Sequence, residues 1–306
     1  MKTIFSIALS MLLLTSCQPS KEKLQLNLSK GETYYQKIVS DMSLSQTING
    51  QEMKINMVIT GATSYKVLDI QDTIYDMQVQ YENLSMKMTL PNGTMEFSTE
   101  KNDESDIFST ILKVLKNKSF YIKLTKTGKI NEVKNIDSLF LGIFEKFPEI
   151  PEEQKMQIQN QLLQAYGEKS FKGNFEMAMA IFPSKEVLKG DKWTINTQLE
   201  TGMSGNMETT YELTEIASSF YLIKGDSKIT TADKDAYIPV NGMPVKYDLT
   251  GTMLSNIKID KTTGWTIEAK ISQNITGYSE IKDNPQMPGG MKIPLAMKNE
   301  MTITEK

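Results

Sequence analysis

The chain has 306 residues, with 34 lysine and arginine residues against 37 acidic residues, a net charge of −3 and no histidine. Every basic residue is lysine and Cys17 is the only cysteine, so guanidinium, imidazole and most thiolate chemistry is excluded. Nucleic-acid binding is not expected, because it needs concentrated positive charge. The remaining catalytic repertoire is narrow, and we predict a protein that is not an enzyme and holds no cofactor.

The first element in chain order is an export signal. Lys2 supplies a positive n-region, residues 4–14 form an apolar h-region, and Leu14-Thr15-Ser16-Cys17 follows. The apolar run is shorter than the roughly 20 residues that span a bilayer and fits a secretory signal of about 7–15 apolar residues. Residues 1–16 are therefore predicted to be a signal peptide.

The tetrapeptide that ends at Cys17 resembles a bacterial lipobox. That resemblance implies cleavage before Cys17, a diacylglycerol on its sulfur and an acyl chain such as palmitate on the new amino terminus. Two or more chains make anchoring stable, so we predict an outer-membrane lipoprotein on the periplasmic face or the cell surface. Residues 17–29 are predicted to be the lipidated N-terminus and a flexible tether.

Residues 30–135 are predicted to form a first β unit. Apolar and polar residues alternate in residues 73–81 and 84–90, which is the period of a half-buried strand. Asn49-Gly50 and Asn92-Gly93 are signals for tight hairpin turns, because both residue types tolerate positive φ.

Helical spacing of apolar residues appears first in residues 107–115, after the cap candidates Asp103 and Ser105. A helical connector is then predicted for residues 136–188. Its three apolar stripes run from Ile136 to Phe147, from Met156 to Tyr166 after Pro151, and from Phe171 to Phe182.

Residues 189–306 are predicted to form a second β unit, with Asn241-Gly242 as a hairpin signal. Three short stretches recur in the same order: residues 30–34, 63–70 and 122–128 match residues 189–193, 209–216 and 257–264. We predict a mostly β, α+β fold with a duplicated antiparallel sheet, curved into a half-barrel, and the central helices packed on it. The alternative is that similar hairpins recur by chance in a β-rich chain.

Two short elements bear on catalysis. Ser98 and Lys101, followed by Lys126-Thr127-Gly128, resemble the Ser-x-x-Lys and Lys-Thr-Gly elements of penicillin-binding enzymes. No Ser-x-Asn element lies between them, and Lys261-Thr262-Thr263-Gly264 occupies the matching place in the second unit. This pattern favours a hairpin turn over an active site.

The 20 methionines of the chain allow three interpretations. Met86 and Met88 share one face of a predicted strand, and Met177 and Met179 lie close in sequence, so thioether copper binding is conceivable. Core filling is favoured, because methionine adapts to irregular gaps. A deformable apolar pocket is the third interpretation.

Acidic and aromatic residues give weaker signals. The acidic clusters in residues 102–106 and 233–235 lack the spacing of a twelve-residue calcium loop and are interpreted as solvated turns. Trp193 and Trp265 follow similar Lys- and Gly-containing stretches, which favours core positions for both. We predict no catalytic, cofactor or metal site, and Cys17 is the one residue assigned a role.

A family resemblance adds to these features. Cys17, the opening Lys30-Gly31-Glu32-Thr33-Tyr34, the stretch from Phe182 to Trp193 and the hairpin from Asp260 to Trp265 resemble an uncharacterised lipoprotein family of Bacteroidetes type. The resemblance covers nearly all of the mature chain and implies location and fold without an activity. The predicted architecture is also loosely similar to periplasmic lipid-carrier lipoproteins, which cover a curved sheet with helices.

Three functions remain open at this point. The first is a membrane-anchored protein whose helices and sheet enclose an apolar or lipid ligand. The second is a structural or assembly lipoprotein with a solid core and no ligand. The third is a histidine-free hydrolase that uses carboxylates or a Ser-Lys pair. A cavity lined with apolar residues distinguishes the first from the second.

Overall fold

The computed structural model describes residues 20–305, apart from positions 104, 117, 141, 146, 202, 241 and 286; the predicted signal peptide and Cys17 lie outside this part. The described chain is mostly β, as predicted. The strands are β1 (Thr33–Ile48), β2 (Gln51–Gln71), β3 (Ile74–Leu90), β4 (Gly93–Ser98), β5 (Ser119–Thr125), β6 (Ile130–Lys134), β7 (Lys192–Thr201), β8 (Met203–Ile216), β9 (Phe220–Thr231), β10 (Ile238–Val240), β11 (Met243–Asp260), β12 (Thr266–Ile281) and β13 (Met291–Thr304). The helices are α1 (Ile107–Lys116), α2 (Glu152–Tyr166), α3 (Glu168–Met179) and a 3-10 helix (Asp137–Phe140).

All strands belong to one antiparallel sheet. Its order is β6-β5-β3-β2-β1-β13-β12-β11-β9-β8-β7, with β4 paired to β3 and β10 paired to β11. The strands of the first unit and those of the second therefore lie side by side and are ordered in the same direction, joined where β1 pairs with β13. This confirms the predicted fold class of a mostly β chain built on an antiparallel sheet.

The two units open with the same local structure, which supports the predicted duplication. The Gly31 amide donates to the Val67 carbonyl at 2.9 Å, and the Gly190 amide donates to the Leu213 carbonyl at 2.7 Å. Both glycines have positive φ, 89° and 90°, where a Cβ is unfavourable. In each unit the amide of the same partner, Val67 or Leu213, returns a hydrogen bond to the residue after the glycine.

Bulges and positive-φ turns also occur at matching positions of the two units. Leu68 in β2 and Thr214 in β8 are extra residues at which the register with the next strand shifts. Gly128 and Gly264 lie in the turns between β5 and β6 and between β11 and β12, with φ of 78° and 70°. Because bulges and positive-φ turns are specific features of a fold, their recurrence at matching positions is not explained by generic β structure.

The contacts of both sheet edges with the same helix show that the sheet is curled. The eleven successive strands from β6 to β7 would span about 48 Å if flat, whereas a helix is about 10–12 Å across. Helix α3 nevertheless contacts both β6 and β7. On the β6 side the Ile130 amide donates to Glu176 Oε1 at 2.7 Å, and just beyond α3 the Trp193 indole donates to the Ile181 carbonyl at 2.8 Å.

The curled sheet has two ends, which we call the base and the rim. The base carries Gly31, Gly190 and the turns at Gly128 and Gly264, and β1 runs from it towards the rim. The rim carries the Asn49-Gly50 hairpin, in which both residues have positive φ, 51° and 79°. That pair of values confirms the predicted tight turn.

The N-terminal segment crosses the base instead of forming a long tether. Leu24, Leu26 and Leu28 are buried, so residues 24–28 belong to the core, and the tether predicted for residues 17–29 is shorter than the sequence suggested. Glu22 exchanges two backbone hydrogen bonds with Val187 at 2.8 and 3.0 Å. The alternation of leucine with polar residues explains the difference, because it gives this segment an apolar face that the base covers.

Two helical predictions are corrected. The stripe from Ile136 to Phe147 is not one helix: a 3-10 helix covers Asp137–Phe140, and turns follow at Gly142, whose φ is 73°. A positive φ is incompatible with a continuing α helix. The cap of α1 is Asp106 instead of Asp103 or Ser105, because its carboxylate accepts from the Ser109 amide at 3.1 Å.

Candidate functional site

The space between the helices and the sheet is filled by aromatic side chains. Trp265 is buried and lies 5.2 Å from Tyr34, 5.4 Å from Tyr65 and 6.5 Å from Phe175, measured between ring centroids. Burial raises the pKa of Tyr65 well above its usual value. The predicted ligand site beneath the helices is therefore occupied at this level by packed rings of the protein itself.

Nearer the rim, four methionines form a row across four adjacent strands. Met42 of β1 is paired with Met57 of β2, Met57 with Met88 of β3, and Met88 with Met95 of β4. Residues that are directly opposite on neighbouring antiparallel strands project from the same face. The row therefore presents four thioethers side by side over about 14 Å, three spacings of about 4.8 Å.

Further apolar residues extend this row in both directions along the strands and across the sheet onto β13, which pairs with β1. They share the inner face with Tyr34 and Tyr65, because the pairing of β1 with β2 runs without a shift from Tyr34–Tyr65 to Met42–Met57. We call the whole set the methionine face; it consists of Met42, Leu44, Met53, Ile55, Met57, Ile59, Met86, Met88, Met95, Leu295, Met297 and Met301.

The methionine face differs from the rest of the inner face in its exposure. Its members on β1, β2, β3 and β13 are half-buried, and Met95 is 41% exposed. Inner-face residues of the second unit such as Met207 and Met253 are buried. A contiguous apolar surface left partly exposed in a folded protein marks a place where something else binds.

Packed clusters border the methionine face. On one side Phe97 of β4 contacts Phe108 of α1, with ring centroids 4.8 Å apart. Towards the rim, Val245, Ile281 and Ile293 form a small separate cluster. Towards the base, Gln36 is buried on the same face of β1, and its side-chain nitrogen has no hydrogen-bond partner within the described residues.

The opposite face of the same strands is polar. Lys54, Asn56 and Lys87 alternate with the methionine-face residues and are exposed, and Val58 is an apolar exception that is 36% exposed. The sheet therefore has one solvent-exposed, polar outer face and one apolar inner face, which is the usual division in antiparallel sheets. Uncharged, flexible thioethers on the inner face suit apolar ligands of variable shape.

The Ser-Lys and Lys-Thr-Gly elements named from the sequence make structural contacts away from the methionine face. Ser98 Oγ accepts from the Glu100 amide at 3.1 Å, while Lys101 Nζ lies 2.6 Å from a carboxylate oxygen of Asp106. The Gly128 amide donates to the Thr125 carbonyl at 3.0 Å, which confirms a turn at Lys126-Thr127-Gly128. The structure thus does not bring Ser98 and Lys101 together as an acylating pair.

The acidic clusters form local turns. Asp233 accepts backbone hydrogen bonds from Asp235 and Ala236 at 3.0 and 3.2 Å, and Asp103 accepts one from Ser105 at 3.0 Å. Within the described ranges, no group of three or more histidine, cysteine, aspartate or glutamate residues is placed to hold a metal ion.

The methionines named from the sequence lie in two different places. Met86 and Met88 both belong to the methionine face, as their shared strand face predicted. Met179, the last residue of α3, is instead fully buried, and its sulfur accepts a hydrogen bond from Thr266 Oγ1 at 3.1 Å. The sequence reasoning missed Met42, Met57 and Met95, whose alignment depends on strand register.

A cavity of about 770 Å³ lies at the seam between the two sheet edges and α3. Its lining includes Lys129, Lys172 and Glu176 and the amides of Asn196 and Gln198. Glu176 is already bonded to the Ile130 amide. The cavity is polar and mixed in charge, so it differs in kind from the methionine face.

Comparisons with known proteins place the chain in a family without assigning an activity. An outer membrane channel from Pseudomonas putida F1 is 8% identical, with a TM-score of 0.23 over 91% of this chain and 97% of that one. A Vibrio parahaemolyticus domain assigned to outer membrane lipoprotein sorting is 9% identical, with a TM-score of 0.13 over 87% and 82% of the two chains. A DUF1329 family protein from Desulfovibrio piger is 7% identical, with a TM-score of 0.12 over 88% and 85%.

The curated proteins and the helices of the described chain give no further indication of function. No curated protein matches the sequence. Among the residues that the structure describes, no helix has both the length and the hydrophobicity to cross a bilayer. The sequence model of a family of unknown function, DUF6263, matches residues 72–266, more than half of the chain, and the protein therefore belongs to the DUF6263 family.

Proposed function

We propose that this protein is a lipoprotein of the bacterial envelope that binds the acyl chain of a lipid on its methionine face. The observation that carries the proposal is the row Met42–Met57–Met88–Met95, which lies on the inner face of a curled sheet and is left half-exposed. The lipid anchor at Cys17 is part of the proposal and rests on the lipobox resemblance.

The dimensions of the methionine face suit a chain-like ligand. Four successive rows, from Gln46–Met53 to Ser40–Ile59, extend about 20 Å along the strands, because two residues advance about 6.8 Å. The face spans five adjacent strands, β13, β1, β2, β3 and β4, and is about 19 Å wide, four spacings of about 4.8 Å. An extended acyl chain that lies along the strands is covered over about 20 Å, which removes its methylene groups from water, at about 0.8 kcal/mol for each one.

The residue types favour a variable lipid over a single rigid ligand. Methionine side chains have three rotatable bonds and adapt their shape to different partners. The face has no charged side chain, and two of the polar residues within it, Ser40 and Asn299, are hydrogen-bonded to each other at 2.7 Å, so its recognition rests mainly on apolar contact. The predicted location at the envelope membrane also favours a lipid, because lipids are the abundant apolar molecules next to that membrane.

The test compares two neighbouring substitutions on opposite faces of β2. The protein from Ser20 to Lys306 is purified, examined by native mass spectrometry and titrated with a fluorescent fatty acid. Met57→Lys places a charge on the methionine face and is expected to weaken binding about tenfold or more, because burying one such side chain contributes about 1.5–3 kcal/mol. Val58→Lys, on the polar face, is expected to bind like the parent protein.

Both variants are first shown to unfold at similar urea concentrations, so that a loss of binding is not a loss of fold. Lipid-sized adducts on the purified protein, reduced by Met57→Lys alone, support the proposal. Bare protein that also fails to bind the fluorescent fatty acid contradicts it and favours a structural or assembly lipoprotein. Equal weakening by both variants contradicts the assignment of the methionine face.

A further inference from the structure

We infer that the methionine face is held away from the membrane that anchors the protein, so that it exchanges lipid with a second, facing membrane. The inference rests on the proposed function, and it adds the direction of exchange and the partner surface. Its basis is the path of the N-terminal segment, which is described from Ser20 and crosses the base of the sheet a few residues after Cys17.

The N-terminal segment is fixed at the base by contacts with both units. The Leu26 amide donates to the Lys126 carbonyl in the first unit, and the Asn27 amide donates to the Thr263 carbonyl in the second, each at 2.8 Å. The Tyr75 hydroxyl donates to the Leu26 carbonyl at 3.0 Å. The chain thus passes between the matching turns of the two units and is tied to each.

The tether left outside these contacts is short. Glu22 is already paired with Val187 and accepts a hydrogen bond from the Tyr221 hydroxyl at 2.6 Å. Glu22 lies five positions after Cys17 in the sequence, and five extended residues span at most about 18 Å. An anchor at Cys17 therefore keeps the base within that distance of the membrane surface.

The methionine face lies much farther from the anchor. Strand β2 ends at Gln71 at the base, and Met57 lies fourteen residues earlier on the same strand. At about 3.4 Å per residue this is about 48 Å along the strand, more than twice the reach of the tether. If the domain lies on its side, it presents its outer face, where Lys54, Asn56 and Lys87 are exposed.

The experiment uses the single cysteine of the chain as the attachment point. The protein from Cys17 to Lys306 is coupled through the Cys17 thiol to a maleimide lipid in phosphatidylethanolamine and phosphatidylglycerol vesicles. A pyrene-labelled phospholipid is placed either in the same vesicles or in a second population. Loading of the protein is followed by the loss of pyrene excimer emission. We expect at least tenfold faster loading from the second population.

A longer tether is the matched control. A Gly-Ser insertion of about 30 residues between Ser20 and Lys21 has an average span of about 30 Å and lets the domain turn over. It is expected to raise loading from the protein's own vesicles at least threefold, without changing loading from the second population. A point substitution is not required, so the fold of the domain is preserved in both proteins.

The outcomes separate this inference from the proposed function. Loading from the protein's own vesicles as fast as from the second population, with the short tether, overturns the inferred direction while leaving lipid binding intact. The same conclusion follows if the long tether changes nothing. No loading from either population, by coupled or free protein, contradicts the proposed function itself.

Discussion

Substituting Gly264 by alanine tests whether the N-terminal segment is a structural part of the domain. Gly264 has a φ of 70°, and a Cβ at this position would overlap the Gln25 carbonyl and lie 3.2 Å from Leu26 Cα. Gly190 is the matched control, because its φ is 90° and a Cβ added there would have no other atom within 4 Å. The two substitutions therefore share the backbone cost and differ in the contact with the segment.

The expected difference follows from the contacts that the segment makes. Holding alanine at positive φ costs about 1–2 kcal/mol in each variant. In Gly264→Ala the segment must also move away, which exposes the fully buried Leu26 and breaks the two hydrogen bonds to Lys126 and Thr263. Burial of one leucine contributes about 1.5–3 kcal/mol and each hydrogen bond about 0.5–1.5 kcal/mol. The additional loss is therefore about 2.5–6 kcal/mol.

Urea unfolding gives the free-energy difference, and hydrogen exchange shows where it arises. In Gly264→Ala the amides of Leu26 and Asn27 are expected to exchange much faster than in the parent protein, whereas in Gly190→Ala they keep their protection. Equal destabilisation by the two variants, with both amides still protected, would refute the reasoning. The segment would then be an accessory contact, and the inferred position of the base at the membrane would lose its support.

Two further predictions concern the anchor and alkaline stability. Cys17→Ala is expected to abolish processing and detergent-phase partitioning, because no thiol remains for the diacylglycerol; a variant that is still processed and still partitions with detergent argues against the lipobox. Burial raises the pKa of Tyr211 to about 12 from a usual value of 10.0. The stability that the neutral, buried phenol contributes is therefore complete below pH 10. It falls by roughly 2–3 kcal/mol as the pH rises from 10 to 12. Urea unfolding of Tyr211→Phe between pH 9 and 12 should therefore show a shallower decline than the parent protein, and an identical slope contradicts the prediction.

Much of the fold is predictable because local patterns decide it. The alternation in residues 84–90 and the Asn49-Gly50 pair specify a strand and a turn without reference to distant residues. The repeated Lys-Gly pair at Gly31 and Gly190 likewise marks a backbone conformation that both units need. These features depend on neighbours in sequence, and the structure contains them.

Other features could not be predicted because distant contacts decide them. Leu24, Leu26 and Leu28 form too short an alternation to be distinguished from a tether, and only the base of the sheet makes them core residues. The stripe from Ile136 to Phe147 has helical spacing, but the chain turns at Gly142 instead of continuing as a helix, and the apolar residues of the stripe reach the core from these turns. Tertiary burial overrides the local pattern in both cases.

The methionine row shows how register converts scattered residues into a surface. A two-residue turn at Asn49-Gly50 pairs Ile48 with Gln51, and counting back six residues on each side reaches Met42 and Met57. The turn after Leu90 pairs that residue with Gly93, and two residues further along each strand lie Met88 and Met95.

The remaining link of the row depends on two bulges between β2 and β3. Leu68 is an extra residue on β2 and Glu82 is an extra residue on β3. A single bulge would shift the pairing by one residue and turn one of the two methionines to the polar face. Because the two extra residues lie on opposite strands, their shifts cancel, and Met57 remains opposite Met88. The apolar surface proposed to bind lipid therefore depends on a compensated pair of bulges about 20 and 37 Å closer to the base, measured along strands of about 3.4 Å per residue.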